Sequence, residues 1–275
     1  MTDKKQTSEL SDKISDWLST EGLVLEYNTM HGLQNIGLNA QLGTHIVSKE
    51  GKSREIDVSA IVGSSDSIMK QSPVSILVCC ECKYSVDRPW VMMKSGQKLS
   101  TAEAWDCLPH STATHELGEM LPKLPQRVES LWHFQPEAEY GHTILQAFLG
   151  NKKDGREKSR DYAFEALQKV ANASWDWVLE SERETPDDEV PPYFSLVAIP
   201  VLIIEGRLFE AWCPDGGTAF EVNEVPFGRL CWLGLGSGTL IDVVTSQGLP
   251  EWSARLKETI DSLIEIDSNL PKRRR

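Results

Sequence analysis

Apolar residues at Leu10, Ile14, Trp17 and Leu18 recur at the spacing of one helical face, with Ser8 placed to cap the start and Gly22 to stop it. The short apolar stretch from Leu23 to Tyr27 then predicts a strand. Past the glycines at 32 and 37, QLGTHIV, the polar SKEGKS and REIDVSAIV predict a β-hairpin with a Gly-containing loop. VSILVCCECKY is an apolar run of strand length, rich in β-branched residues and cysteine, which predicts a strand buried on both faces. Residues 95–140 mix Gly, Pro, His and aromatics without a sustained period, predicting short helical pieces and loops. The period returns from Ser159 to Leu179, where Tyr162, Ala163, Ala166, Leu167, Val170, Ala171 and Ala173 form the face of a long helix. After the acidic surface loop ESERETPDDEVPP, the run YFSLVAIPVLIIEGRLFEAW places Glu205-Gly206 where a tight turn would join two core strands. GTLIDVVTS predicts another strand, LPEWSARLKETIDSLIEI an amphipathic helix, and PKRRR a basic end.

Mixed strands and helices without a repeat or a long linker predict one α/β domain over 1–275. Within it, the core strands and motif occupy 8–95, a helical and second-hairpin portion 96–270, and the basic tail 271–275. Hydrophobic residues make up 40% and charged residues 25% of the chain, which excludes collagen, a long coiled coil and wholesale disorder. No stretch approaches the ~18 to 20 apolar residues of a membrane-spanning helix, and MTDKKQTSELSDK lacks a signal peptide's apolar segment, so a cytoplasmic protein without a membrane partner is expected. A net charge of −13 confines any nucleic-acid contact to a local groove. Three of the six cysteines crowd into VCCEC. A strand turns Cys80 and Cys82 to one face and Cys79 to the other, unlike turn-borne zinc ligands, so buried free thiols are expected.

The same alternation puts Glu81 and Lys83 side by side on one face of that strand. Charges flanked by ILVCC need a compensating partner, and Asp57 on the preceding strand is the natural second acid. Two carboxylates on adjacent strands make a hard oxygen site suited to Mg²⁺ or Mn²⁺, and a neighbouring lysine suits phosphodiester hydrolysis.

Asp57 followed by the strand-borne Glu81-x-Lys83, after a helix and a hairpin, resembles the PD-(D/E)XK nuclease superfamily, and its Mrr-like branch in particular. ECKYSVDRPWV resembles the ECK-x-S-x-(D/E)-(K/R)-PWV segment of bacterial members, PVLIIEGRLFEAW their second hairpin, and IDVV their late strand. The resemblance implies a three-layer α/β/α restriction-endonuclease-like domain with a mixed central sheet. It further implies Asp57 and Glu81 as metal ligands, Lys83 as catalytic lysine, and cleavage of DNA in restriction, phage defence or repair, with RNA as the alternative substrate. An additional helical acid is implied, for which Glu9 is the candidate, with Asp12 and Asp16 behind it. The family's proline before the motif Asp is absent, Ile56 standing there.

Arg88 and Trp90 are candidates for holding a phosphate and stacking a base, against the plainer reading of a rigid turn with a core tryptophan. Lys94, with Lys98, Lys123 and Arg127, is a candidate for the positive groove, or else solvated surface. His110 and His115 as a metal pair, Gln168 facing the site, and the KRRR tail as a nucleic-acid arm are weaker candidates. The acidic total leaves open a homodimer or a partner subunit supplying basic surface, and equally a catalytically inactive scaffold that binds or regulates.

Overall fold

The computed structural model describes residues 10–18, 22–48, 51–62, 74–85, 88–128, 130–135, 139–147, 155–183, 195–214, 217–233 and 238–270. The basic tail lies outside them. The first helix, α1, covers 10–18 of the described residues, and its apolar stripe is exposed: Leu10, Ile14, Trp17 and Leu18 are 39–59% exposed.

Gly22, in the left-handed region at φ 81°, is the N-cap residue of α2 (Leu23–Asn35), and the stretch 19–21 that would join it to α1 lies outside the described residues. The strand expected at Leu23 to Tyr27 is therefore helix. Its stripe, Leu25, Thr29 and Leu33, repeats every four residues, and five apolar-rich residues alone do not separate a strand from the first turn of such a stripe. The expected hairpin forms, with β1 (Asn39–Val47) antiparallel to β2 (Ser53–Val62). Next comes β3 (Ser75–Tyr84), buried on both faces as far as Glu81. The strand β4 (Trp90–Lys98) leads into the short helices α3 (Thr101–Asp106), α4 (His115–Met120) and α5 (Pro125–Val128), and then β5 (Glu139–Gln146). The long helix α6 (Gly155–Arg183) precedes β6 (Leu196–Glu205), β7 (Leu208–Trp212), β8 (Glu221–Val225), β9 (Phe227–Leu233) and β10 (Gly238–Thr245), and α7 (Leu249–Ser268) follows.

Among the described residues, ten strands join one mixed sheet in the order β1-β2-β3-β6-β10-β9-β5-β4-β7-β8. The turn expected at Glu205-Gly206 is not a hairpin. β6 pairs with β3 and β10, whereas β7 pairs with β4 and β8. The chain bends at Gly206 (φ 135°), and its parallel neighbour bends beside it: Ser85 N–H donates to Glu205 O at 3.1 Å and Trp90 N–H to Arg207 O at 2.8 Å. The ribbon β3/β6 thus continues as β4/β7. A Glu-Gly between apolar runs satisfies hairpin chemistry, but here each run finds its partners elsewhere in the sheet.

Helices pack on both sides of β3. On β3, Ile76, Val78 and Cys80 join a cluster with Leu25 and Leu33 of α2 and Trp252, Leu256 and Ile260 of α7. The alternate residues Leu77 and Cys79 join Ala163, Ala166, Leu167 and Val170 of α6. The fold is therefore α/β with a large mixed sheet, as the pattern predicts. All six cysteines are free thiols, and Cys79 and Cys80 are fully buried. Among the described residues no helix is long and apolar enough to cross a membrane.

Under α7 lies a buried polar cluster. Asp242 on β10 accepts hydrogen bonds from His133 Nε2 (2.8 Å), Trp252 Nε1 (2.7 Å) and Arg229 Nε (3.2 Å). Arg229 also donates to the Trp132 carbonyl and stacks over the Trp132 ring, 4.6 Å from its centroid. At the entry to α7 the backbone leaves no room for a side chain: a Cβ on Gly248 would stand 2.2 Å from the Pro226 carbonyl oxygen. That oxygen already accepts from the Thr245 N–H and hydroxyl. Gly248→Ala is expected to lower stability by about 1–3 kcal/mol, read as a drop in Tm, because backbone rather than a movable side chain must yield.

Candidate functional site

The site forms where β2 parts from β3. Their ladder runs from Val62↔Ile76 to Val58↔Cys80 and stops there. One residue further along β2, Asp57 turns a carboxylate oxygen, Oδ2, onto the Cys82 N–H at 2.7 Å, satisfying a donor that the departing strand no longer meets. Opposite Asp57 in the hairpin register stands Gly43, in the left-handed region at φ 62°.

On β3, Glu81 and Lys83 face α6, as the alternation requires. Glu81 is 1% exposed, and its Oε1 lies 2.6 Å from Lys83 Nζ. Lys83 Nζ stands 5.2 Å from the centre of the Tyr162 ring on α6, a cation–π contact. One further residue of α6 completes the group: Lys169 Nζ lies 2.6 Å from Glu81 Oε2 and 3.0 Å from Asp57 Oδ1, bridging the two carboxylates.

The electrostatics follow from burial and crowding. Burial, then the negative charge of Asp57, raises the Glu81 carboxyl above its ordinary value, against the pull of Lys83 and Lys169. Burial would lower both lysines, yet the acids beside them outweigh it and hold both ammoniums above the usual lysine value. Glu26 on α2 is raised as well, by burial and then by Asp57, Glu55 and Glu81. Among the described residues, Glu26 of α2 is a helical acid within electrostatic range of the pair. Glu9 lies outside the described residues, and Asp12 and Asp16 are exposed on α1.

The remaining candidates are dispersed. Trp90 is fully buried, its ring 6.1 Å from that of Tyr162, so it is a core residue beneath the site and not a platform for a base. Arg88 is exposed on the segment between β3 and β4. Lys94 forms a largely buried ion pair with Glu210 at 2.6 Å and lines a separate cleft of about 420 Å³ with Trp132, Arg229 and Arg255. It is therefore not part of an open positive groove at this site. Arg127 is paired with Glu265, and Lys98 and Lys123 are exposed. His110 Nδ1 bonds the Leu108 carbonyl at 2.7 Å, while His115 is exposed and paired with Glu119, so the two form no metal pair. From α6 it is Lys169 that reaches the carboxylates, next to the candidate Gln168.

Sequence reasoning missed Lys169 and Glu26. The signal for Lys169 was its place among Ala166, Leu167 and Val170, a charge at the margin of an apolar helical face.

Among the described residues no three His, Cys, Asp or Glu side chains converge as metal ligands. The converging set is the pair Asp57 and Glu81. Around it, Asp57, Glu55 and Glu81 act on Glu26, and Asp57 acts on Glu81, against the ammoniums of Lys83 and Lys169. A hard divalent cation fits that donor set, because Mg²⁺ is commonly held by one or two carboxylates, with water and substrate phosphate filling its remaining positions. No protein-family model, curated protein or solved structure matches the chain.

Proposed function

We propose that the chain is a divalent-metal-dependent nuclease of the restriction-endonuclease-like arrangement, hydrolysing phosphodiester bonds in DNA. The observation that carries this reading is the meeting of Asp57, Glu81 and Lys83 at one strand end, with a fully buried carboxylate between two ammoniums. Buried charge of this kind is costly and marks function more often than stability. Asp57 and Glu81 would hold Mg²⁺ or Mn²⁺, which when bound supplies Lewis-acid polarisation of the phosphate and a more acidic water.

The chain's own residues divide the remaining work. Lys83, kept charged by Glu81, serves as a fixed positive charge beside the phosphorus, where negative charge grows during in-line attack. A lysine held above its usual value is a poor base, so charge stabilisation is its role. Tyr162 supports that ammonium from below and fixes its direction. Lys169, on a long partly exposed stem, is the cation that leaves the carboxylates when they are engaged, and it then reaches a non-bridging phosphate oxygen.

The test is cleavage of plasmid, linear double-stranded DNA, single-stranded DNA and RNA with Mg²⁺, Mn²⁺ or EDTA. Cutting that EDTA abolishes supports the proposal and names the substrate. A folded protein that cuts nothing moves the reading to a non-catalytic scaffold, in which Lys169 neutralises the carboxylates permanently. Lys169→Met addresses the same choice by calorimetry. Removing a competing, partly exposed charge is expected to tighten Mn²⁺ binding roughly fivefold, equivalent to about 1 kcal/mol. A scaffold without a metal site shows no binding in either protein.

A further inference from the structure

Away from this site, two cysteines far apart in sequence are brought together over β10. Cys107 follows α3, and its carbonyl accepts from the Leu240 N–H at 2.8 Å. Leu240 is in turn the register partner of Cys231 on β9. Two residues before Leu240, on the same face of β10, stands Gly238. A Cβ there would lie 3.0 Å from Cys231 Sγ and 3.1 Å from Cys107 Sγ, so the two sulfurs share the space that the missing side chain leaves. Both residues are partly exposed, whereas Cys79 and Cys80 are sealed in the core.

We propose that Cys107 and Cys231 are a peroxide-reactive dithiol that closes to a disulfide. The Cys107 thiol hydrogen-bonds the Cys231 sulfur, which lowers the Cys231 thiol from its ordinary value and raises that of Cys107. Cys231 is therefore the attacking sulfur and Cys107 the resolving one. The Cys231 thiolate attacks one oxygen of a hydroperoxide, the O–O bond breaks, and hydroxide leaves and takes up the proton that Cys231 released. Cys231 is now a sulfenic acid. Cys107 attacks its sulfur, the S–S bond forms, and the sulfenic hydroxyl leaves as water with the Cys107 proton. Two thiols are oxidised to a disulfide and one hydrogen peroxide is reduced to two waters. The product ties the end of α3 covalently to β9.

The remaining thiols have other surroundings. Cys82 faces the Thr29 hydroxyl, and burial pushes its thiol well above the ordinary value. Cys213 faces the Gly217 carbonyl at 2.6 Å.

The experiment treats the full chain with hydrogen peroxide, alkylates it under denaturing conditions and maps the peptides by mass. The expected product is a linked Cys107–Cys231 peptide, an intact mass lower by about 2 Da, loss of two of the six free thiols, and full reversal by dithiothreitol. With Cys107→Ser, the expected product is a sulfenic acid at Cys231, trapped by dimedone. Full alkylation of both cysteines after peroxide overturns the proposal, as does separate over-oxidation of each without a link, or pairing of either one with Cys82 or Cys213. The wild-type map decides by itself if a variant fails to fold.

Discussion

If the proposed nuclease activity holds, Lys83→Ala is expected to lower metal-dependent cleavage by about 10²–10³-fold while leaving the fold intact, the cost typical of deleting one preorganised group that meets transition-state charge. The fold survives because Glu81 keeps a second cation: Lys169 remains 2.6 Å from Glu81 Oε2, so no buried carboxylate is orphaned. Lys83 is itself partly exposed, and its removal opens no core cavity. Single-turnover cleavage of end-labelled DNA, with circular dichroism on the same samples, provides the check. Glu81→Gln should be at least as severe, because it removes charge from one of the two carboxylates that converge among the described residues. Wild-type rates in Lys83→Ala would remove the lysine from the mechanism and leave the proposed site without its distinguishing member.

The largest effect on stability is expected at Asp242. Asp242→Ala should cost about 3–5 kcal/mol, the usual penalty for removing one member of a buried ion pair. At this chain length that is a drop in Tm of roughly 6–20 °C. The reason is Arg229, 4% exposed, which would keep its charge and lose its carboxylate. Burial alone would raise the Asp242 carboxyl, but His133, Arg229 and the Trp252 N–H hold it far below the ordinary carboxylate range. Its contribution is accordingly present above about pH 4 and is lost only in strong acid.

His133 acts in the same direction at higher pH. Burial holds it below 6.5 despite the pull of Asp242. The unfolded chain binds that proton first as pH falls, so stability is full above about pH 6.5 and declines below it. Calorimetric Tm values between pH 8 and 5 should fall for wild type and fall less for His133→Gln. A parallel decline in the two proteins would place the titrating group elsewhere.

Where one element carries its own periodicity, the sequence was readable. The hairpin β1–β2, the doubly buried β3, α6 and α7 each announce themselves by alternation or by a helical stripe. Asp57, Glu81 and Lys83 were legible for the same reason, since strand geometry puts the last two on one face without reference to the rest of the chain. What failed depended on partners. Leu23 to Tyr27 holds only the first turn of a stripe completed by Thr29 and Leu33. Glu205-Gly206 has the chemistry of a turn and becomes a bend because β3 and β4 run beside it. β4, β5, β8 and β9 show no sustained alternation of buried and exposed positions. Lys169 and Glu26 reach the site from helices whose docking no local pattern encodes.

The central ribbon also has a consequence for how the chain is made. β3 ends at Tyr84, but its parallel partner β6 ends at Glu205, roughly 120 residues later. At about 5–20 residues per second on the ribosome, the segment SILVCC waits some 6–24 s with one edge unpaired. Only its antiparallel neighbour β2 precedes it in synthesis. The nascent chain therefore presents an apolar edge to its surroundings until its last third emerges, and the yield of folded protein depends on what shields that edge in the meantime.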